Sequence, residues 1–209
     1  MPGVLLPLFP LNMVLFPNNA LPLHIFEERY KEMIGEAIRQ KTEFGIVLAA
    51  ESGIVNVGCT ATVENIIKEY PDGTMDIVTR GRRRFEILEL NEEKDYLRGS
   101  VEFFDDEEDS SPPAVDARER ALNGFRELRT MEDREVPDPD SSDPQLSFRI
   151  ADAVPDLNFR QVLLVTRSEA ERIKRLADYL PTYVSKAKRV TEFRDIVRSN
   201  GHWKYPSGM

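Results

Sequence analysis

The spacing of hydrophobic residues changes from strand-like to helix-like at one short segment, residues 105–113. The segment reads Asp-Asp-Glu-Glu-Asp-Ser-Ser-Pro-Pro, so adjacent carboxylates repel one another and the prolines lack the amide hydrogen that regular structure requires. We therefore predict a solvated acidic hinge at 105–113, which separates a subdomain of residues 1–104 from a subdomain of residues 114–209. An acidic binding tail is the alternative interpretation of this segment.

The chain before the hinge carries mostly strand-like patterns. Residues 44–50 are a short apolar run, and residues 55–67 alternate and then break phase, which predicts a long strand with a bulge. A Pro-Asp-Gly-Thr signal at 71–74 predicts a hairpin turn to the next strand. One amphipathic helix over 27–40 interrupts the strands. Many short strands with glycine and proline at the turns favour a small barrel or a folded sandwich.

Beyond the hinge, apolar residues recur every three or four positions, which is the spacing of one helix face. We predict a first helix directly after the hinge and short helices over 145–153 and 159–165. Ser168 and Glu171 form a capping-box pattern that begins a long final helix, because both side chains can bind free backbone N–H groups. Pro181 is expected to kink or restart this helix. The second subdomain is therefore predicted to be all-helical.

The charge of the chain excludes some classes of partner. The sequence has 28 Lys and Arg against 37 Asp and Glu, a net charge of −9, which is not the electrostatic footprint of a nucleic-acid binder. No apolar run approaches the roughly 18 residues of a membrane-spanning helix. The apolar opening also lacks the basic region and cleavage site of a signal peptide. We expect a cytoplasmic protein with no membrane partner, and nucleic acid is disfavoured.

The sequence motifs of nucleotide-dependent and hydrolytic enzymes are absent. There is no G-x-x-x-x-G-K-[ST] phosphate loop, no G-x-G-x-x-G fingerprint and no G-x-S-x-G elbow. His24 and His202 are far apart in sequence and lack the H-E-x-x-H spacing of a zinc site, and His24 is expected to be a packed or hydrogen-bonded structural residue rather than a ligand or a proton-transfer group. Cys59 lies in a strand pattern and is expected to fill the core. We therefore predict no catalytic residue, no metal site and no cofactor, and we expect that the protein is not an enzyme.

A cluster of arginines is the strongest local positive feature. Arg80, Arg82, Arg83 and Arg84 lie within five positions. Such a cluster beside an aromatic residue can grip phosphate or nucleic acid, and it makes Arg80, Arg82 and Arg83 candidate anion-binding residues. The alternative is a strand-to-strand turn at Gly81, with the arginines paired to the abundant carboxylates. The net negative charge of the first subdomain favours the second interpretation.

The opening segment is the most specific part of the sequence. Residues 6–17 read LPLFPLNMVLFP and residues 21–30 read LPLHIFEERY, so prolines forbid a helix and restrain an extended chain that large apolar residues anchor. Together they resemble the start of the N-terminal domain of Lon proteases, although Glu28 stands where that family usually has proline. The resemblance covers residues 5–199 through further motifs: FGIV at 44–47, VGC at 57–59, Gly81 with Arg84 and Phe85, and residues 146–180.

The Lon resemblance implies an α+β fold, in which a PUA-like β-barrel with one inserted helix precedes an α-helical bundle that ends in a long helix. In Lon proteases this module precedes an ATPase and a Ser–Lys peptidase and helps to select substrate proteins. The resemblance therefore implies a stand-alone, non-catalytic module that recognises unfolded or degron-bearing segments of client proteins. Such a module would suit a bacterial quality-control factor that works with a separate protease or chaperone.

Apolar residues in excess of what a core needs are the candidates for a client-binding groove: Leu15, Phe16, Leu21, Phe103 and Phe104. The alternative for each is that it fills the core. Four aromatic residues near the start are expected to hold the fold: Phe9, Phe16, Phe26 and Tyr30. A second functional hypothesis is a PUA-like reader of RNA or of a small phosphorylated ligand, which would use the cluster from Arg80 to Arg84.

Overall fold

The computed structural model describes residues 4–51, 53–109, 111–131 and 137–200. Within these residues, strands come first and helices last, as the hydrophobic spacing predicts. The elements in chain order are β1 Val4–Leu11, β2 Ala20–Ile25, α1 Glu28–Gln40, β3 Phe44–Ala50, β4 Gly53–Glu69, β5 Met75–Asn91, β6 Arg98–Phe104, α2 Val115–Met131, α3 Leu146–Ala151, α4 Leu157–Val165 and α5 Glu169–Asn200. The predicted α+β class is confirmed.

One sheet contains these six strands, in the order β2-β5-β4-β3-β1-β6. β1 pairs with β3 in parallel, whereas the other pairings are antiparallel. Because β6 also pairs with β5, the strands β5, β4, β3, β1 and β6 form a closed ring. β2 lies outside this ring and pairs with the first part of β5, from Ala20↔Arg80 to Ile25↔Met75.

The β4–β5 hairpin confirms the predicted turn and the predicted bulge. The Asp72 carboxylate accepts a hydrogen bond from the Thr74 amide at 3.0 Å, which fixes the turn. The pairing of β4 with β5 contains three register shifts. The turn that the sequence allowed at Gly81 is wrong, because β5 runs as one strand over Met75–Asn91.

Gly81 is required for a different reason, the close approach of the loop that precedes β2. The Asn18 amide donates to the Gly81 carbonyl oxygen, and the Gly81 amide donates to the Asn19 carbonyl oxygen, both at 2.9 Å. A Cβ atom at position 81 would overlap the carbonyl oxygen of Phe16. Asn18 has a φ of 61°, a left-handed conformation that Asn tolerates better than most residues. Main-chain contacts therefore fix this loop against the sheet.

Two apolar clusters stabilise the fold. The smaller one consists of buried residues of the ring strands: Leu6, Leu8, Val47, Phe85, Ile87 and Val101. A Cβ atom at Gly58 would overlap the Phe85 ring, so the absence of a side chain at this position of β4 makes room for the aromatic residue. The larger cluster combines residues of the sheet with residues of all five helices. The strand-rich half and the helical half of the chain therefore share one core.

The boundary between the sheet and the helices is held by a cluster of charged and polar side chains, which we call the arginine clasp: Arg84, Asp106, Ser147, Glu169 and Arg172. Arg84 extends from β5 and donates to the carbonyl oxygens of Leu164 at 3.1 Å and Thr166 at 2.9 Å. The Asp106 carboxylate binds Arg84 at 2.5 Å and Arg172 of α5 at 2.6 Å. The clasp thus connects β5 to the acidic segment and to α5.

The acidic segment is anchored at defined points. Asp106 is held by both arginines of the clasp, and the Glu107 amide donates to the Arg167 carbonyl oxygen at 2.8 Å. Asp109 accepts from the Ala170 amide at 3.0 Å in the first turn of α5, where the helix dipole favours a carboxylate. Residues 105–109 are all exposed, and their role as a hinge between two subdomains stays a prediction. The partners of Asp106 and Asp109 lie in distant parts of the sequence, so the local charge pattern does not reveal them.

The start of α5 follows the sequence prediction, and its middle follows one of the two predicted alternatives at most. The Ser168 hydroxyl oxygen accepts a hydrogen bond from the Glu171 amide at 3.0 Å, as expected of a helix cap. Pro181 lies inside one continuous helix, so the helix does not restart there, and the kink stays a prediction.

Candidate functional site

Three of the five predicted groove residues belong to the core. Leu15, Phe16 and Leu21 are buried, and the Phe16 ring stacks on Phe148 of α3 with 5.2 Å between centroids. The prediction that these three line an exposed groove is therefore wrong. The loop between β1 and β2 turns back against β5, and α3 packs over it. This tertiary contact cannot be predicted from the pattern of apolar residues.

Between the buried Phe16 and Leu21, Asn18 and Ala20 are exposed, whereas Pro17 and Asn19 are buried. Asn18, Asn19 and Ala20 line a cleft between the sheet and the helices. The side-chain nitrogen Nδ2 of Asn18 donates to Gln145 Oε1 at 3.1 Å, and Asn19 Oδ1 accepts from Arg149 Nη1 at 2.6 Å. One side of the cleft is therefore tied to α3 by side-chain hydrogen bonds.

We call this depression the interlobe cleft, and its volume is about 350 Å³. Its apolar lining comes from both halves of the chain: Ala20, Phe125, Pro137, Pro139 and Ala153. Ligand pockets span roughly 300–1,000 Å³, so this cleft is at the small end of that range. It can accept one or two apolar side chains of an extended peptide.

The charged side chains at and beside the cleft rim are already paired. Each of three arginines binds a carboxylate: Arg129 binds Asp138 at 3.2 Å, Arg149 binds Asp143 at 3.0 Å and Arg160 binds Asp152 at 2.9 Å. A ligand in the cleft therefore meets apolar walls and polar groups with little net charge. The arrangement suits burial of apolar surface rather than recognition of an ion.

The two other predicted groove residues lie beneath arginine side chains. The Arg83 guanidinium is 3.8 Å from the centroid of the Phe103 ring, and those of Arg84 and Arg167 are 4.8 and 4.6 Å from the centroid of Phe104. Neither phenylalanine is among the residues that line the interlobe cleft. A role for Phe103 and Phe104 in binding stays a prediction.

The arginines of β5 outside the clasp, which we call the arginine row, are the exposed Arg82 and Arg83 and the partly exposed Arg80. Arg80 binds Glu64 at 2.5 Å, Arg82 donates to Thr62 Oγ1 at 2.9 Å and Arg83 binds Glu43 at 3.1 Å. The hydrogen bond from Arg80 lowers the pKa of Glu64. The predicted pairing with carboxylates is confirmed for Arg80 and Arg83, and Arg84 is separated from the row by its burial in the clasp.

The arginine clasp balances two guanidinium groups with two carboxylates. Burial raises the pKa of Glu169, although Ser147 and Arg172 hydrogen-bond to its carboxylate. Burial acts in the same direction on Asp106, but Arg172 and Arg84 outweigh it and hold the pKa of that carboxyl below its usual value. Because its charges are balanced and mutually bound, we interpret the clasp as structural.

The remaining titratable candidates show no catalytic arrangement. Cys59 is buried, as predicted, and burial raises the pKa of its thiol to about 12, which disfavours the reactive thiolate. His24 is exposed and its Nδ1 lies 2.6 Å from Asp76, whereas His202 is outside the described residues. Among the described residues, no cluster of three or more His, Cys, Asp or Glu could hold a metal, and no helix could cross a bilayer.

The model of the ATP-dependent protease La (LON) substrate-binding domain matches residues 5–190 of the chain. The Lon protease of Parabacteroides distasonis is 34% identical over 128 residues, which are 57% of this chain and 15% of that protein. Lon protease 2 of Herpetosiphon aurantiacus is 29% identical over 192 residues, which are 82% of this chain and 23% of that protein. The chain thus spans less than a quarter of the length of these relatives.

Two solved structures share the fold. A Lon N-terminal domain protein from Xanthomonas campestris matches with a TM-score of 0.67 at 22% identity, and the match covers 84% of this chain and 98% of that one. The N-terminal domain of the Mycobacterium avium complex Lon protease matches with a TM-score of 0.57 at 16% identity, covering 85% and 98% of the two chains. At such identities the likeness concerns the fold alone.

Proposed function

Because the chain belongs to the LON substrate-binding domain family, we propose that it is a non-catalytic module that binds exposed apolar segments or degrons of client proteins. The family match over residues 5–190 is the observation that carries this proposal. In its finer form, the proposal takes the ring of strands as a PUA-like barrel and places the protein in the cytoplasm. A separate protease or chaperone would be the recipient of the bound client.

The interlobe cleft is the proposed seat of the client segment. Its apolar walls offer burial to an inserted leucine or phenylalanine, which is worth about 1.5–3 kcal/mol per side chain. Association costs offset much of this gain, so binding should be weak. The paired rim charges predict an affinity that changes little with salt, together with a negative heat-capacity change on binding.

The proposal is tested by filling the cleft. Ala20 is exposed at the start of β2 and lines the cleft, so a Trp side chain at that position would occupy the space without displacing core residues. We expect Ala20→Trp to weaken binding of a fluorescent, permanently unfolded model polypeptide about tenfold, a loss of roughly 1.4 kcal/mol. Fluorescence anisotropy at low and moderate salt is the measurement.

Ala50→Trp is the matched control, because Ala50 is exposed at the end of β3 and does not line the cleft. This control should bind the polypeptide as the wild type does. Equal affinities for the wild type and Ala20→Trp would contradict the proposed seat.

The RNA or phosphate reader remains the alternative function, and the arginine row gives it limited support. Arg80 and Arg83 are each engaged by a carboxylate that a phosphate would have to displace. Binding of single-stranded RNA with a steep salt dependence, abolished by Arg82→Glu together with Arg83→Glu, would favour this alternative.

A further inference from the structure

A second depression, which we call the α1–β4 groove, lies between the end of α1 and the middle of β4. Its volume is about 480 Å³. Four aliphatic residues contribute to its lining: Ala37, Ile38, Val63 and Ile66. Two cationic residues, Lys41 and Arg82, line it as well. The groove shares no lining residue with the interlobe cleft.

The groove carries positive charge that its own carboxylate does not neutralise. Glu64 Oε1 binds Arg80 at 2.5 Å, and the same oxygen is 3.9 Å from Arg82. One carboxylate oxygen therefore serves two arginines. The Lys41 ammonium group forms no hydrogen bond or ion pair with any residue in the part of the chain that the structure describes. A positive excess at this place contrasts with the net charge of −9 of the whole chain.

The aliphatic part of the groove is open to a ligand. Ile66 is 46% exposed and lies in the last part of β4, where residues 64–69 are all exposed. Ile38 of α1 is partly buried beside the same groove. A ligand that covers Ile66 would remove apolar area from water while its charged part stays near Lys41 and Arg82.

We propose that the α1–β4 groove binds polypeptide segments in which aliphatic residues stand next to Asp or Glu. The aliphatic residues cover Ile38 and Ile66, and the carboxylates pair with Lys41 and Arg82. Charge complementarity selects an acidic ligand, and the aliphatic lining selects a polypeptide over RNA. Single-stranded nucleic acids bind through bases stacked on aromatic side chains, and none of the residues that line this groove is aromatic.

The groove and the interlobe cleft differ in how salt acts on them. Binding in the groove depends on exposed charges, which salt screens over about 8–10 Å at 0.10–0.15 M. Binding in the cleft depends on apolar burial and is insensitive to salt. The two sites can therefore be measured separately in one protein, even if the proposed function of the cleft fails.

The test uses two labelled peptides of equal length, one alternating Leu with Glu and one alternating Leu with Gln. At low salt, the Glu peptide should bind the wild type more tightly than the Gln peptide. Lys41→Glu should weaken the Glu peptide about fivefold, since an exposed attraction is replaced by repulsion. Lys186→Glu makes the same charge change at an exposed position of α5, and it should leave the affinity for the Glu peptide unchanged.

The aliphatic contact is tested with two neighbouring isoleucines. Ile66→Ser should weaken binding of both peptides about fivefold through lost apolar burial. Ile67→Ser is its control, because Ile67 is 65% exposed and does not line the groove. Thermal melts that match the wild type establish that each variant is folded.

Any one of the following outcomes would overturn the proposal: equal affinity for the Glu and Gln peptides, an unchanged affinity of Lys41→Glu, an affinity loss in Ile67→Ser equal to that in Ile66→Ser, or loss of Glu-peptide binding in the cleft variant Ala20→Trp. Displacement of the Glu peptide by single-stranded RNA at equal concentration would also overturn it and would assign the groove to nucleic acid.

Discussion

The arginine row and the arginine clasp place the same residue type in two environments within one strand. Arg82 and Arg83 are exposed and bind Thr62 of β4 and Glu43, which precedes β3, respectively, whereas Arg84 is 4% exposed and binds main-chain carbonyl groups of the helical half. An exposed ion pair contributes about 0–1 kcal/mol, because water competes with it. Removal of one partner from a buried pair costs about 3–5 kcal/mol, because the other charge is left without a counterion. Position relative to the core, and not residue type, therefore decides the role of each arginine.

The largest expected effect is the loss of the buried arginine. Arg84→Ala should lower the free energy of unfolding by about 3–5 kcal/mol, since two carbonyl groups lose the Arg84 donor and Asp106 keeps only Arg172 as its partner. Arg83→Ala, its matched control, should cost about 1 kcal/mol or less. Urea unfolding of both variants measures the difference. Equal costs would break the contrast between row and clasp.

A pair of phenylalanines extends the contrast to apolar residues. Phe9 is buried and its ring lies 4.1 Å from the Tyr30 ring, so Phe9→Ala should cost about 3 kcal/mol. The expectation that Phe26 also holds the fold is wrong, because its side chain is 61% exposed. Phe26→Ala should change the free energy of unfolding by about 0.5 kcal/mol or less. A thermal melt in which both variants lose the same stability would contradict this assignment.

A smaller effect is expected from pH. The pKa of Asp106 is held below its ordinary value of 3.8, so its ionised form stabilises the folded state above that pH. This stabilisation should be lost as the pH falls from about 4 towards the lowered pKa. Asp106→Asn should therefore be less stable than the wild type at pH 7 and should lose less stability between pH 5 and 3. Urea unfolding at several pH values tests this.

Glu169 of the same clasp is expected to have the opposite effect on the pH dependence of stability. Its pKa is raised above the ordinary value of 4.5, so its protonation favours the folded state as the pH falls through the raised value. Glu169→Gln should remove this gain and make the acid-induced loss steeper. Identical pH profiles for Asp106→Asn and Glu169→Gln would show that the clasp does not titrate as described.

The sequence predicts the features that neighbouring residues determine. The turn at 71–74, the bulged strand β4 and the cap at Ser168 all depend on residues a few positions apart, and the structure contains each of them. The spacing of apolar residues, which changes from strand-like to helix-like, also distinguishes the strand-rich half from the helical half. These patterns are local, so they can be recognised in the sequence without knowledge of the tertiary fold.

The features that long-range packing determines were not predictable. Phe16 belongs to the core only because α3 covers it, and Asp106 is anchored only because Arg84 and Arg172 converge on it. The interlobe cleft is lined by separate segments of the chain, and the polar pair Asn18-Asn19 within an apolar stretch is its one local sign. A site assembled by the fold leaves little trace in any single segment.

The closed ring of strands has a consequence during synthesis, because β1 leaves the ribosome long before its partner β6. β1 pairs with β6 from Val4↔Val101, so 97 positions separate the partners. At roughly 5–20 residues per second, a ribosome needs about 5–20 s to supply them. During that interval the apolar β1 segment has an unpaired edge, which is a template for aggregation. Pro7 and Pro10 each remove one amide donor from β1, and because they are three positions apart, each edge of the strand loses one. The prolines that shape the finished strand therefore also protect the nascent one.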